Sequence, residues 1–487
     1  MMRNVGWSIP MVLGLVGACT VDPEGPELLD FGADDGKADG ASAVLPSCVA
    51  RGSLFETIFD ATQPVVERGN VPARYYATQR NHADRDMLLR GPEIFPRMRQ
   101  LIGQAQHEVD VQFYVWENDS DPARAIFGGL EDLEATARAE GRDTPVNVRI
   151  IVDAFNEGSP FAFPSSYRIT NLMPRIASGL EALALDPKLV RWQLAAYTHN
   201  GLGNLHSKVL VVDGRVAVIG GANVEAVHND QDPWNDSAYQ VDGEVAISLL
   251  AELDNAWRIS HEWTCGSRGG AQADCTRDPA SVKHPIAEHA VPESACEPIM
   301  VVTRKGDANP VGNRIDNTQD QAFLAAFGNA RHHIRMMTPN LNDDHAKAAI
   351  VAAVRRGVTV DVVVSHGFND KGENLPGQGG TNVENVNQLF EETLADLPDR
   401  CERLRVRWYA ADSGALITGN GPLASHAKYT SIDDEVVIVG GANMDTQAWN
   451  HSRETNLVVG SAEVTRAWDG KMFAPAFQRG WIPGECQ

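Results

Sequence analysis

Three short stretches, 109–116, 148–152 and 360–364, are dense in Val, Ile and aromatic residues, the composition of strands buried on both faces. VLVVDGRVAVI carries two β-branched runs on either side of Asp213-Gly214, a tight-turn pair, and predicts a hairpin. DDHAKAAIVAAVRRG follows a helical period instead. Ile350, Val351 and Val354 fall on its inward face and Gly357 stops it, so His345, in an isolated His-Ala-Lys there, is expected to be a solvated helix residue.

The hairpin pattern occurs twice. HSKVLVVDGRVAVIGGAN (206–223) and HAKYTSIDDEVVIVGGAN (426–443) share His206/His426, Lys208/Lys428, Asp213/Asp433, Gly220/Gly440, Gly221/Gly441 and Asn223/Asn443, each pair 220 residues apart. Flanking segments repeat as well: 102–116 with 327–341, 146–153 with 358–365, Val190-Arg191-Trp192 with Val406-Arg407-Trp408, and Trp234-Asn235 with Trp449-Asn450. Their offsets drift between 212 and 225, as loop insertions between shared core elements would produce. The chain is therefore read as two homologous halves, 48–290 and 291–487, each long enough to bury its own core.

Composition is that of a globular protein, 43% apolar and 22% charged. The formal charge of −23 disfavours nucleic acid as a partner, because phosphate-driven binding needs a cationic surface. MMRNVGWSIPMVLGLVGAC has one Arg, an apolar run too short to span a bilayer and small residues before Cys19. Residues 1–18 are expected to be a lipoprotein-type signal peptide with Cys19 as the lipidated residue, and the acidic, Gly-rich 19–47 a disordered tether. An exported, envelope-anchored location follows. The other six cysteines, an even number, point to disulfides, with Cys265 and Cys275 as the first expected pair. No Cys/His spacing predicts zinc, no cofactor is expected, and no obligate protein partner is evident.

On an extended strand His206 and Lys208 share a face, as do His426 and Lys428. A lysine beside an imidazole repels a metal dication but suits an anionic phosphate, so the motif predicts metal-free phosphoryl chemistry. Asp213, roughly 16 Å along the strand from Lys208, reads as a turn and packing residue, with Asp433 in the same place. The returning strand brings Gly221/Gly441, where backbone can approach a ligand, and Asn223/Asn443, whose amides can donate to a phosphate oxygen. One half-site supplies a nucleophile but no acid. Two halves about a pseudo-twofold axis place two histidines, two lysines and two asparagines around one phosphate. Each imidazole also needs an acceptor for its other nitrogen. Glu454 is the candidate in the second half, and Asp236 its counterpart in the first, where it also borders the substrate.

Two HxKxxxxD motifs, each followed by GGxN, resemble the phospholipase D superfamily, and GPEIFPRMRQLIGQAQHEVDVQFYVWEND is similar in texture to bacterial cardiolipin synthase and phospholipase D-like proteins. The resemblance covers about residues 70 to 475. It implies an α/β fold of two α/β/α lobes, each a mixed sheet between helix layers, with one shared site at their interface. It also implies that His206 is the nucleophile and His426 the acid, with Asp213 and Asp433 counted in the catalytic motif. The expected activity is cleavage, and possible transfer, of phospholipid head groups at a membrane surface through a phosphohistidine. A nuclease of the same superfamily is the alternative, and a non-catalytic lipid-binding surface protein the third. The glycine-rich segment from His366 to Gly380 ends a strand and is either a substrate-shaping loop or an ordinary connection.

Overall fold

The computed structural model describes residues 42–153, 172–197, 202–229, 231–265 and 296–486. The expected signal peptide, Cys19 and the side chains of the Cys265–Cys275 pair lie outside the described residues. Among those described, no helix is long and apolar enough to cross a membrane.

Two sheets of matching topology carry the fold. In the first, Glu108–Phe113, Val146–Asp153 and Val190–Tyr197 run parallel, and the hairpin Val209–Val212/Val216–Gly220 joins antiparallel at Glu108–Phe113. In the second, His333–Thr338, Thr359–Val364 and Leu404–Trp408 are the parallel strands, and Tyr429–Ile432/Val436–Gly440 is the hairpin. The predicted strands and hairpin are present, the first strand ending at Phe113 and not at Trp116. Helices such as Asp121–Ala139 and Asp344–Arg355 cover the sheets; in the latter Ile350 and Val354 are buried and Val351 partly so. A third apolar cluster, including Leu205, Val209 and Tyr239 from the first lobe and Met337, Tyr429 and Trp468 from the second, welds the two together. Burying this seam removes a large apolar area from water, the main force that fixes one lobe against the other.

The division at residue 48 does not describe the packing. The helix Leu54–Thr62 buries Leu54, Phe55, Ile58 and Phe59 in the second lobe's core with Phe323 and Phe327. Ala77–Thr78 then adds a strand to the second sheet, pairing with Ile299–Arg304. Only from Asn81–Ala83 onward does the chain enter the first sheet. The end of the expected tether is also seated, since Ala43 is buried in the same core. LFETIFDAT has amphipathic spacing, but nothing local marks its destination, because the partner surface is made more than 200 residues later. Disulfides Cys48–Cys296 and Cys401–Cys486, with Cα–Cα separations of 6.3 and 5.6 Å, staple this second-lobe assembly.

Candidate active site

His206 and His426 precede equivalent hairpins, and each is held by the opposite lobe. His206 N–H donates to Arg453 O at 2.9 Å, and Arg453 N–H to Asn204 O at 2.7 Å. By the same rule His426 N–H donates to Asn235 O and Asn235 N–H to Ala424 O, both at 2.8 Å. The next residue after each clamp carries a buried carboxylate. Glu454 Oε1 lies 2.7 Å from His206 Nδ1, and Asp236 Oδ2 lies 2.8 Å from His426 Nδ1. The carboxylates are therefore crossed: Glu454, in the second half, orients the first-half histidine, and Asp236 the second-half one. The sequence reading kept each acid within its own half, and it gave Asp236 a substrate contact beside this orienting role.

Donation from Nδ1–H to a carboxylate leaves Nε2 with its lone pair, the tautomer a nucleophile or base needs. Burial, with Lys208 and Lys428 nearby, holds both imidazoles well below their usual range, hence neutral near pH 7. Lys208 Nζ and Lys428 Nζ each donate to the carbonyl of their own histidine. Burial lowers them to about 7 and about 8; it pushes Glu454 up, a rise opposed by both lysines, which favour the carboxylate that accepts His206 Nδ1–H. Charge at these lysines is lost as pH rises through that window, weakening the hold on an anionic phosphate. Accordingly, kcat/KM for a phosphodiester is expected to fall on an alkaline limb between about pH 7 and 8, with kcat less affected because bound phosphate restores the lysine charge. A profile of kcat/KM flat to pH 9.5 would contradict this.

Other motif residues act differently from expectation. Asp213 accepts from the backbone N–H groups of Gln106, His107 and Glu108 at 2.7–3.2 Å, and Asp433 does the same for Arg331, His332 and His333 at 2.7–2.9 Å. They are strand-entry clamps at the far end of each hairpin, and their place in the catalytic set is corrected. Gly221 and Gly441 do not cradle a ligand. A Cβ on Gly221 would meet Asp236 Oδ1 at 2.2 Å, and one on Gly441 would meet Glu454 Oε2 at 2.7 Å, so these glycines make room for the crossed carboxylates. Asn223 Oδ1 accepts Val115 N–H at 3.4 Å, which leaves its NH2 group as the donor for a phosphate; Asn443 Nδ2 is tied to Asp445 Oδ2 at 2.7 Å.

Several neighbours were not singled out in the sequence. Tyr114 sets its ring edge-on to His206, with centroids 5.2 Å apart, and lies beneath Lys208 Nζ at 5.4 Å. His426 is walled by Phe368, stacked at 5.5 Å, and by Trp234 and His228, both at 5.7 Å. Phe368 comes from the segment following His366, which makes that glycine-rich stretch a site-shaping loop. His345, by contrast, sits on its helix beside Asn313. His228, Asp236 and His426 form one group, among the described residues, with ligand atoms within 4.8 Å of one another. Asp236 and His426 are already paired there through Nδ1, and the charge of Lys428 acts on the same carboxylate, so the geometry is that of an oriented imidazole.

The family model described as "Cardiolipin synthase, PLD-like domain" matches residues 98–246 and again 323–473, one match in each lobe. The chain belongs to this family. Cardiolipin synthase 1 of Bacillus anthracis is 22% identical over 417 residues, covering 84% of this chain and 69% of that protein. Phospholipase D of Streptomyces antibioticus is 22% identical over 420 residues, 72% of this chain and 71% of the relative. The solved phosphatidylserine synthase of Haemophilus influenzae Rd KW20 superposes with a TM-score of 0.54 at 15% identity, over 87% of this chain and 92% of that one, and shows the shared fold. This phospholipase D-like chain is a phospholipid-modifying enzyme of the superfamily, with both family domains and both histidine sets complete.

Proposed function

We propose that the chain cleaves phospholipid head groups and passes the phosphatidyl group to water or an alcohol through a phosphohistidine on His206. The crossed His206–Glu454 and His426–Asp236 pairs carry the reading, because they supply two oriented imidazoles for one phosphate. His206 Nε2 attacks phosphorus, the bond to the head-group oxygen breaks, and His426, which takes up a second proton on Nε2 when the anionic phosphate binds and offsets the two lysine charges, gives that proton to the departing oxygen. In the second step the incoming hydroxyl loses its proton to His426, its oxygen attacks phosphorus, and the bond to His206 breaks. Lys208, Lys428 and Asn223 offset charge on the non-bridging oxygens, the task metal ions perform in other phosphoryl-transfer sites.

Relatives named for both synthesis of cardiolipin and phospholipase D action support a lipid substrate over a nucleic acid, in line with the charge of −23. Ethanol added to phosphatidylcholine or phosphatidylglycerol vesicles is expected to divert product from phosphatidic acid to phosphatidylethanol, read by mass spectrometry. Salt-sensitive oligonucleotide cleavage with no lipid product would replace the lipid reading with the nuclease one. Two disulfides support export to an oxidising compartment, with anchorage at Cys19 as part of the proposal; membrane fractionation of Cys19→Ser distinguishes an anchor from plain secretion.

A further inference from the structure

His228 is fully buried against the His426 half of the site and has no part in the steps above. It closes the short turn Ala226–His228, where its N–H donates to Glu225 O at 3.2 Å. Gly91 packs so tightly on its carbonyl that a Cβ there would meet the oxygen at 2.0 Å. Trp234 lies edge-on to its ring at 5.4 Å, and the ring of His426 is 5.7 Å away. The imidazole is thus held by elements that also build the site.

Its two nitrogens face two buried carboxylates. Nδ1 is 3.7 Å from Asp236 Oδ2, the oxygen paired with His426 Nδ1, and Nε2 is 3.9 Å from Glu225 Oε2. Neither nitrogen has a hydrogen-bond partner among the described residues, although buried polar atoms are nearly always paired. Burial lowers the ring to about 3, so it is neutral and carries one N–H for two acids. Asp236 is the nearer, and burial pushes its carboxyl up, so the hydrogen does most for it on Nδ1. The repeat shows what is special to this half. In the register that matches Asn223 with Asn443, Glu225 and His228 meet Asp445 and Ala448. Asp445 caps its own helix by accepting Ala448 N–H at 2.8 Å, and no imidazole stands at that position.

We propose that His228 is a positioning residue for proton donation: its Nδ1–H closes on Asp236 Oδ2 once phosphate is bound, keeping Asp236 ionised and His426 Nε2 aimed at the departing oxygen. The inference rests on the reading above, in which His426 supplies that proton. Hydrogen bonds that serve catalysis are often long without substrate and tighten around the reacting group. His228 neither gains nor loses a proton. It adds an N–H to a carboxylate that already accepts from His426 and, through Oδ1, from Ser237 N–H at 2.8 Å. A carboxylate so held is a poorer base toward the Nδ1 proton of the His426 imidazolium, which therefore gives up its Nε2 proton instead.

Burst kinetics on two substrates test it, since a first-step rate constant does not depend on how much of the protein is folded. His228→Leu, close in volume and without a polar atom at the ring position, is expected to slow the first step on phosphatidylcholine roughly tenfold to a hundredfold, the loss of one hydrogen bond to a charged group. On a p-nitrophenyl phosphodiester, whose leaving oxygen needs no proton, that loss should shrink severalfold. His228→Asn carries an amide N–H near the place of Nδ1 and should regain most of the rate. His228→Gln reaches the place of Nε2, beside Glu225, and should not. In an Asp236→Asn background His228→Leu should cost little more, because it acts through that carboxylate. No loss in His228→Leu, equal losses on both esters, rescue by Gln and not by Asn, or full additivity with Asp236→Asn overturns the proposal. If Asp236→Asn itself loses as much on the nitrophenyl ester as on the lipid, the acid role of His426 falls, and this inference with it.

Discussion

His206→Ala and His426→Ala, made singly, are each expected to lower phosphodiester turnover by about 10⁴-fold or more, with little change in the unfolding midpoint. Neither imidazole can cover for the other, because at each step one holds phosphorus while the other moves a proton. The lobes should survive both changes, since the backbone clamps to Arg453 and Asn235 and the apolar seam around Tyr239 and Trp468 use no imidazole atom. The double variant should be barely worse than either single one, the signature of residues acting as a unit. Rapid quench with a slow substrate should leave phosphate on His206. Label on His426 would reverse the assignment, and substantial turnover in either single variant would defeat the shared-site mechanism.

Glu454→Gln and Asp236→Asn are expected to cost roughly 10²- to 10⁴-fold, the range in which removal of a histidine's orienting carboxylate falls. Their crossed placement makes the two losses distinguishable. Asp236 holds the imidazole that protonates the leaving group, so Asp236→Asn should recover most of its first-step rate on a p-nitrophenyl phosphodiester, whose leaving oxygen needs no proton. Glu454→Gln impairs attack itself and should show no such recovery. Reading burst kinetics for both variants on phosphatidylcholine and on the nitrophenyl ester settles the matter: recovery in Glu454→Gln alone would mean that the acids serve the opposite roles.

Much of this site was legible because the chain states it twice. Six identities at one fixed offset located the histidines, lysines and asparagines, and the turn chemistry around Asp213 marked a turn and packing residue, though not its clamp on Gln106, His107 and Glu108. What remained hidden was whatever the lobes exchange. Glu454 and Asp236 differ in residue type and stand 218 apart, and the tempting match of Trp234 with Trp449 misleads by three positions. Trp234 faces His426, whereas Trp449 is buried against Phe323 in the second core. Spacing within a repeat reports on one lobe at a time. A contact between lobes leaves no period to detect, and the same holds for the helix Leu54–Thr62, whose apolar face closes on residues encoded far downstream.

Crossed carboxylates also set when the enzyme can first act during its own biogenesis. His206 has its proton acceptor only after residue 454 has been synthesised and docked, so a ribosome-bound first lobe is chemically silent despite carrying a full histidine, lysine and asparagine set. Complementary halves supplied as separate polypeptides would therefore regain function only together.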